Sequence, residues 1–391
     1  MGRLLSTTIM IILAAVICFP TLIGAQTDIG YTDDGLKITN HKQWIKIGGV
    51  VMWDADAASG VFWNSESDND NWHTASELRR FRLSIKTRMS DNWMAKIQVD
   101  YDNDDRSVGI KDAFVEYCLC ETASLIVGKD KEPFGLENLS SSKNLYFKER
   151  SLVSSALGPG RNIGIALTGD RKNFFWQAGV YQADPTEDED YNYAITGRFA
   201  LVPLETKTGF LHLGVSGSYR KFDGEKFKID EPALVHTADL NVFSDKIDTE
   251  DIMLYGIEAA FGYGPFAFAG EYIAADVNAI VKTEDATFSG YYLSAGWILT
   301  GESRSLKNGT WKRVKPESKY GAVELTTRYG RLDASNNHEG TEAEACTLGI
   351  NWYVNSHITL MTDYIYLWLT DEETAGETTA DAVSFRLQFI F

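Results

Sequence analysis

In the last ten residues of the chain every second side chain is apolar, and this period of two limits the folds that the chain can adopt. From Ala382 to Phe391 every second residue is apolar, and Ser384, Arg386 and Gln388 lie between the apolar ones. Successive side chains of a strand point to opposite faces, so the segment predicts a strand with one apolar face and one polar face. Such a strand suits the wall of a transmembrane β-barrel, and it also suits a soluble β-sandwich.

The start of the chain and its hydropathy favour the barrel. Residues 1–25 carry Arg3, an apolar run and a small-residue end at Gly24-Ala25, which predicts a secretory signal peptide that is cut before Gln26. After residue 25 the sequence has no apolar run of about 18 to 20 residues that could span a bilayer as a helix. Hydrocarbon cannot satisfy unpaired backbone groups, so a membrane position then requires a closed barrel.

Composition excludes one class of partner and supports a membrane interface. The formal net charge is −18, which argues against binding to nucleic acid. Aromatic residues make up 12% of the chain, enough to supply the girdles at the two membrane interfaces.

Period-two alternation predicts about sixteen strands, an even number as bacterial barrels require. They are predicted at 43–57, 74–90, 93–102, 108–118, 122–129, 161–169, 173–182, 190–202, 208–219, 252–263, 266–276, 287–299, 319–330, 344–354, 357–367 and 381–391. Short turns alternate with long polar loops, which places the turns in the periplasm and the loops outside. Segment 233–242 resembles a further strand, but counting it makes the total odd, so we interpret 220–251 as a loop that folds back.

These observations predict the domain organisation. We expect a signal peptide at 1–25, an N-terminal periplasmic segment at 26–40 and one β-barrel domain at 41–391. The connection 300–318 falls on the periplasmic side despite its length, and the sequence offers no reason for this departure.

Alternation also predicts which charges face the lumen. If Phe81, Leu83 and Ile85 face lipid, the basic residues between and beside them face inward, and barrel closure places the first and last strands next to them. The predicted basic wall consists of Arg80, Arg82, Lys86, Arg88, Lys46 and Arg386.

A mostly acidic wall is predicted across the lumen. It consists of Glu258, Glu271, Glu324 and Asp363, interrupted by Arg328. Two interpretations remain open: the two walls create a transverse field that sorts solutes, or the charges pair across strands and satisfy a wet interior.

The segment 130–160 is the predicted constriction loop. Its basic residues are Lys131, Lys143, Lys148, Arg150 and, where the loop ends, Arg161. Pro133 and the loop glycines indicate an ordered loop. The alternative is an external loop with solvated charges.

Neither an enzyme nor a metal site is predicted. The sequence has no nucleophile and base pattern beyond chance pairings, which argues against an outer-membrane lipase or protease. Cys118 and Cys120 are too close for an unstrained disulfide, Cys346 is left over, and no histidine lies near the Cys-x-Cys pair. We therefore expect no cofactor.

Several motifs together resemble the phosphate-selective porin O and P family. The most extensive is Gly128-Lys129-Asp130-Lys131-Glu132-Pro133-Phe134-Gly135-Leu136-Glu137, which resembles the third-loop signature of that family. Further similar segments lie at 77–82, 111–114, 149–152, 159–162, 290–292, 299–302, 321–325, 349–353 and 385–389. The resemblance implies a homotrimer of sixteen-stranded barrels in the outer membrane of a Gram-negative bacterium, with the third loop folded inside and small ions as permeants.

The sequence departs from the phosphate-selective pattern at three places. Val50 stands where the family has an arginine, Asn138 stands where it has a lysine, and residues 222–236 contain two lysines and no arginine. Arginine clusters favour phosphate, so these departures weaken the expectation of phosphate selectivity. The sequence therefore predicts a water-filled porin for small charged solutes, with anions such as phosphate implied by resemblance. A general or cation-leaning porin, and an adhesin or receptor barrel that uses the acidic segment 183–190, remain alternatives.

Overall fold

The computed structural model of this protein describes residues 27–63, 71–102, 107–184, 191–206, 208–222, 225–336, 339–371 and 376–391. The predicted signal peptide at 1–25 and most of the acidic segment 183–190 lie outside these ranges.

Sixteen antiparallel strands form one closed barrel, as the alternation predicted. They are β1 (Gln43–Ser59), β2 (Trp72–Arg88), β3 (Trp93–Asp102), β4 (Ser107–Cys120), β5 (Ala123–Lys131), β6 (Arg161–Arg171), β7 (Phe174–Gln182), β8 (Tyr193–Glu205), β9 (Gly209–Lys221), β10 (Ile247–Tyr263), β11 (Phe266–Ala279), β12 (Ala286–Ile298), β13 (Ala322–Asp333), β14 (Thr341–Tyr353), β15 (Ile358–Asp371) and β16 (Gly376–Ile390). Each predicted strand overlaps one of these elements.

The barrel closes where the last strand pairs with the first. β16 lies antiparallel to β1, with a register that runs from Ala382 opposite Ala58 to Ile390 opposite Val50. Val383, Leu387 and Phe389 of β16 are exposed on the outside, while Ser384, Arg386 and Gln388 are buried inside. This confirms the two faces predicted for the closing strand, and closure leaves no unpaired edge in the apolar belt.

The N-terminal segment that precedes the barrel is a β-hairpin, which alternation did not predict. Its strands Thr27–Thr32 and Gly35–Asn40 pair with each other. The second strand also pairs with β1, from Leu36 opposite Ile47 to Asn40 opposite Gln43. The hairpin therefore continues the wall beside β1 below the point where β16 ends.

Two long connections fold into the barrel, and short elements order them. The inner loop (residues 132–160) contains the helices α1 (Leu136–Leu139) and α2 (Leu152–Ala156) and a 3-10 turn at Ser142–Asn144, and the long periplasmic turn (residues 299–321) contains short strands at Leu306–Lys307 and Thr310–Trp311. Further 3-10 turns lie at Gly60–Trp63 and Lys282–Glu284. In the described part of the chain, no helix has the length and apolar character needed to cross a membrane.

The fifth loop (residues 222–246) covers the extracellular end of the lumen. It contains short strands at Lys226–Phe227, Asp230–Pro232 and Asn241–Phe243, and it supplies no further barrel strand. Its residues Ala233, Leu234 and Val235 are buried in the apolar cluster that also contains Phe134 and Val153 of the inner loop. The structure bears out a loop that folds back within 220–251, although residues 220–221 and 247–251 belong to β9 and β10.

Candidate functional site: the charged lumen

A cavity of about 1410 Å³ occupies the periplasmic half of the lumen. Its wall combines residues of β1 to β9, the tip of the N-terminal hairpin, the inner loop and the long periplasmic turn from Gly301 to Glu317. Sixteen basic residues and eight acidic residues line it, although the whole chain carries a formal net charge of −18. The chain therefore concentrates positive charge in its lumen.

Four residues of the predicted basic wall line this cavity. They are Lys46 on β1 and Arg80, Arg82 and Lys86 on β2. Arg82 Nε donates to Asp100 Oδ2 at 2.7 Å, and Lys46 Nζ donates to Asp34 Oδ2 at 2.9 Å. These ion pairs hold the basic groups against the wall without removing them from the cavity surface.

The structure departs from the prediction at Arg88 and Arg386, which lie outside the cavity lining. Arg88 sits at the periplasmic end of β2, where it donates to the backbone oxygen of Asp91 at 3.3 Å. Arg386 faces inward but is fully buried: its Nε and Nη2 donate to the two carboxylate oxygens of Asp54 at 2.7 and 2.6 Å, and Nη2 also donates to Glu149 at 2.8 Å. The inner loop covers it, so Arg386 holds that loop in place.

A β-bulge adds a basic residue that strict alternation assigns to the outside. The pairing of β1 with β2 shifts by one residue between Met52 opposite Arg80 and Asp54 opposite Glu77. As a result, Arg79 also turns inward, and its Nε donates to Glu149 at 2.9 Å while Arg80 lies 3.9 Å from the same carboxylate. The sequence hint to a second inward arginine was that Arg79 and Arg80 are adjacent.

The inner loop lies inside the barrel, and four of the five basic residues predicted for the constriction line the cavity: Lys143 and Arg150 of the loop, and Lys131 and Arg161 at the adjoining ends of β5 and β6. Lys131 Nζ donates to the Asn138 backbone oxygen at 2.5 Å, and Arg150 donates to the Ser140 backbone oxygen at 2.8 Å. The acceptors of both bonds are neutral carbonyl oxygens and not carboxylates.

Arg161 and Lys148, two further members of this set, pair with carboxylates to different degrees. Arg161 Nε donates to Asp112 Oδ1 at 2.7 Å and stays at the cavity surface. Lys148 is instead buried, 2.5 Å from Asp56 and 3.5 Å from Asp54, and does not line the cavity.

The predicted acidic wall has a different environment from the one expected. Glu258, Glu271, Glu324 and Asp363 all face inward and are buried, but none of these four carboxylates lines the cavity. The physical reason is that the folded-in segments cover them and occupy their oxygens.

Two of these carboxylates anchor the inner loop. Glu271 accepts the backbone N–H groups of Leu136 at 2.7 Å and Glu137 at 2.6 Å. Asp363 accepts the backbone N–H of Lys148 at 2.8 Å. A Cβ on Gly135 would lie 2.8 Å from Glu271 Oε2, and φ of Gly135 is +69°, so a glycine is needed for this approach.

Arginines pair with the other two carboxylates of the acidic wall, Glu324 and Glu258. Glu324 accepts bonds from Arg304 Nε at 2.6 Å and Nη2 at 2.7 Å, and Arg304 belongs to the long periplasmic turn. Glu258 accepts from Arg198 Nε at 3.0 Å. Paired and bonded in this way, the acidic side adds little negative potential to the cavity.

Sequence reasoning missed the contribution of the long periplasmic turn. The turn folds upward because Trp311 packs its ring against Tyr146 of the inner loop and Phe210 of β9, with centroid distances of 5.2 and 5.9 Å. It brings Arg304, Lys307, Lys312, Arg313 and Lys315 to the cavity. The basic run Lys312-Arg313-Val314-Lys315 was the signal in the sequence.

The N-terminal hairpin supplies an acidic contact at the periplasmic mouth of the cavity. Burial by itself raises the pKa of Asp34, but Lys143 and Lys46 lower it below its usual range because both ammonium groups bond to the charged form. Asp33 pairs with Lys315 of the long periplasmic turn and raises the pKa of that lysine.

The fold and the charged, loop-narrowed lumen define an outer-membrane porin. The family model of the phosphate-selective porin O and P family matches residues 45–391, and the chain belongs to this family. Porin O of Pseudomonas aeruginosa is 28% identical over 92% of each chain.

Solved structures show the same barrel at low sequence identity. An anion-selective porin from Comamonas acidovorans has a TM-score of 0.55 and 13% identity, covering 90% of this chain and 100% of its own. OmpF of Salmonella typhi, solved with daunomycin, has a TM-score of 0.57 and 11% identity, covering 91% and 100%. As a member of the porin O and P family, the protein is a channel of the Gram-negative outer membrane.

Proposed function

We propose that this porin conducts small inorganic anions by passive diffusion, through the basic cavity defined above. The twofold excess of basic over acidic residues in the cavity lining carries this proposal, because it occurs in a chain that is acidic as a whole. A narrow channel with low-dielectric walls focuses such a field and concentrates ions of the opposite sign.

The burial of the acidic wall supports anions over cations. The four carboxylates that would attract cations bond to backbone N–H groups or to arginines. The acidic residues fit the interpretation that lumen charges pair within the interior. The basic residues at the cavity surface fit the interpretation that they create a field which sorts solutes.

Phosphate is one expected permeant, since the family description names it, but strong preference for it is not part of the proposal. Val50 and Asn138 both lie where the family has basic residues, and Asn138 accepts a bond from Lys131. Lys226 and Lys228 of the fifth loop pair with Asp248 and Asp230 and lie outside the cavity lining.

The test is the reversal potential of the purified protein in a planar bilayer with a potassium chloride gradient. We expect anion selectivity, and we expect Lys86→Glu to shift the potential toward cations because Lys86 lines the cavity. The matched control is Lys42→Glu, an exposed lysine paired with Asp91 at 2.7 Å outside the cavity, which should leave the potential unchanged. A cation-selective wild-type channel would refute the proposal.

Two further features belong to the same proposal: a signal peptide, indicated by the pattern of residues 1–25, and a trimer, implied by the family resemblance. The mature protein begins near Gln26 after removal of residues 1–25, which mass determination of the secreted protein checks. The channel is a homotrimer with one pore in each barrel, which native mass spectrometry in detergent tests against a monomer.

A further inference from the structure

The tip of the N-terminal hairpin packs closely against β1 at the periplasmic mouth of the cavity. Gly35 has φ of +126°, and a Cβ at this position would lie 2.2 Å from the backbone oxygen of Ile47. A Cβ on Gly48 would lie 2.0 Å from the backbone oxygen of Asp34. Backbone contact of this kind fixes the position of the tip, so Asp34 has a defined place in the mouth rather than a range of positions.

Two lysines from different elements converge on the Asp34 carboxylate. Lys46 of β1 reaches Oδ2 at 2.9 Å, and Lys143 of the inner loop reaches Oδ1 at 3.0 Å. The Asp34 side chain remains half exposed, and all three residues line the cavity. One lysine comes from the barrel wall and the other from the inner loop, and both are accessible from the cavity.

The chemistry of this contact is that of an anion site. Two ammonium groups that point at two oxygens of one carboxylate would serve a diffusing oxyanion equally well. The side chains remain in contact with solvent, 51% exposed for Asp34 and 27% for each lysine, so ions from solution can reach the ammonium groups.

We propose that Asp34 is a tethered counter-anion, which competes with permeant anions for Lys46 and Lys143 and so lowers the anion selectivity of the channel. The inference rests on the proposed anion channel and names the residue that limits its selectivity. Removal of the Asp34 charge exposes both lysines to permeating ions.

The experiment compares the full-length wild-type channel with Asp34→Asn in a potassium chloride gradient. We expect the chloride-to-potassium permeability ratio to rise by about two- to fivefold, the range that corresponds to one exposed ion pair. Inorganic phosphate added on the periplasmic side should also reduce the chloride current at a lower concentration in the variant. The control is Asp91→Asn, which breaks an Asp–Lys pair of similar length outside the cavity and should change neither value.

Further variants distinguish competition from other effects of the substitution. Asp34→Glu should restore the wild-type ratio, and the heat-modifiable gel mobility of each variant checks that the barrel is folded. In a Lys46→Met, Lys143→Met background, Asp34→Asn should have little effect. If Asp34→Asn raises the chloride-to-potassium permeability ratio just as much in that background, the inference is wrong. It is also wrong if the ratio does not change in a folded, anion-selective Asp34→Asn channel. Both outcomes leave the proposed function intact. Cation selectivity of the wild type refutes the proposed function instead.

Discussion

At the scale of single residues, burial divides the lumen charges into two groups. Arg82 and Arg386 both bind a carboxylate, but Arg82 remains at the cavity surface while Arg386 is fully buried. A buried ion pair contributes little net stability, whereas the loss of one partner leaves a charge without compensation. Basic residues at the cavity surface, such as Arg82, can act on permeating ions. Buried ones, such as Arg386, maintain the shape of the lumen.

The buried group gives a prediction about stability. Arg386→Met should lower the free energy of unfolding by about 3–5 kcal/mol, because Asp54 and Glu149 then lose a buried guanidinium partner. Thermal unfolding of the purified barrel, followed by gel mobility, measures the change. Lys42→Met, at an exposed pair, should change the stability by less than about 1 kcal/mol; comparable losses for both variants would contradict the assignment.

Alternation predicted which face each of these residues occupies but not what covers that face. It placed Arg386 and Glu271 inside the barrel, as observed. It could not show that the inner loop would occupy their hydrogen-bonding groups, because these contacts join residues more than 130 positions apart. Arg79 was missed for a local reason, since a one-residue bulge reverses the face.

At the scale of elements, the long periplasmic turn explains why one periplasmic connection is long. A turn that only reverses the chain needs a few residues, but this one rises into the lumen and contacts the inner loop. The backbone N–H of Trp311 donates to Ser140 Oγ at 3.0 Å, and Asn144 Nδ2 donates to the Trp311 backbone oxygen at 2.9 Å. The constriction is therefore built from both ends of the barrel.

The turn gives a prediction about conductance. Trp311→Ala should cost about 3–5 kcal/mol by leaving a cavity between the turn and the inner loop. The loosened turn should raise single-channel conductance and lower anion selectivity, because its basic residues withdraw from the cavity. Trp297→Ala, at a lipid-facing position that is 46% exposed, should leave both properties unchanged. A Trp311→Ala channel with wild-type conductance would show that the turn does not narrow the pore.

The sequence predicted all the barrel strands but not the β-hairpin that precedes them in the chain. All sixteen strands were predicted because each one has one face in lipid and one in the lumen, which enforces the period of two. The N-terminal hairpin lies below the apolar belt and lacks that constraint; Ile29 and Tyr31 are exposed there. Its turn signal, Asp34-Gly35 between alternating strands, was present in the sequence.

At the scale of the whole molecule, charge is separated by location. The chain is acidic, while its cavity is basic. Apart from the anion site at Lys46 and Lys143, the charges of the cavity lining act on a permeating ion through their summed field.

A field effect of this kind must depend on ionic strength. The Debye length falls from about 10 Å at 0.1 M salt to about 3 Å at 1 M. We therefore expect the chloride-to-potassium permeability ratio to decrease over this range, as measured by reversal potentials at a constant concentration ratio across the bilayer. A ratio that stays constant would indicate selectivity by direct contact instead.

The position of Arg386 also constrains how the protein is assembled. Its partners lie far back in the chain, Asp54 by 332 positions and Glu149 by 237. Contacts across such separations form late, since a long segment must first be closed into a loop. The last strand therefore both completes the wall and adds an anchor for the inner loop, so we expect a chain that stops before Arg386 to lose this anchor as well as a strand.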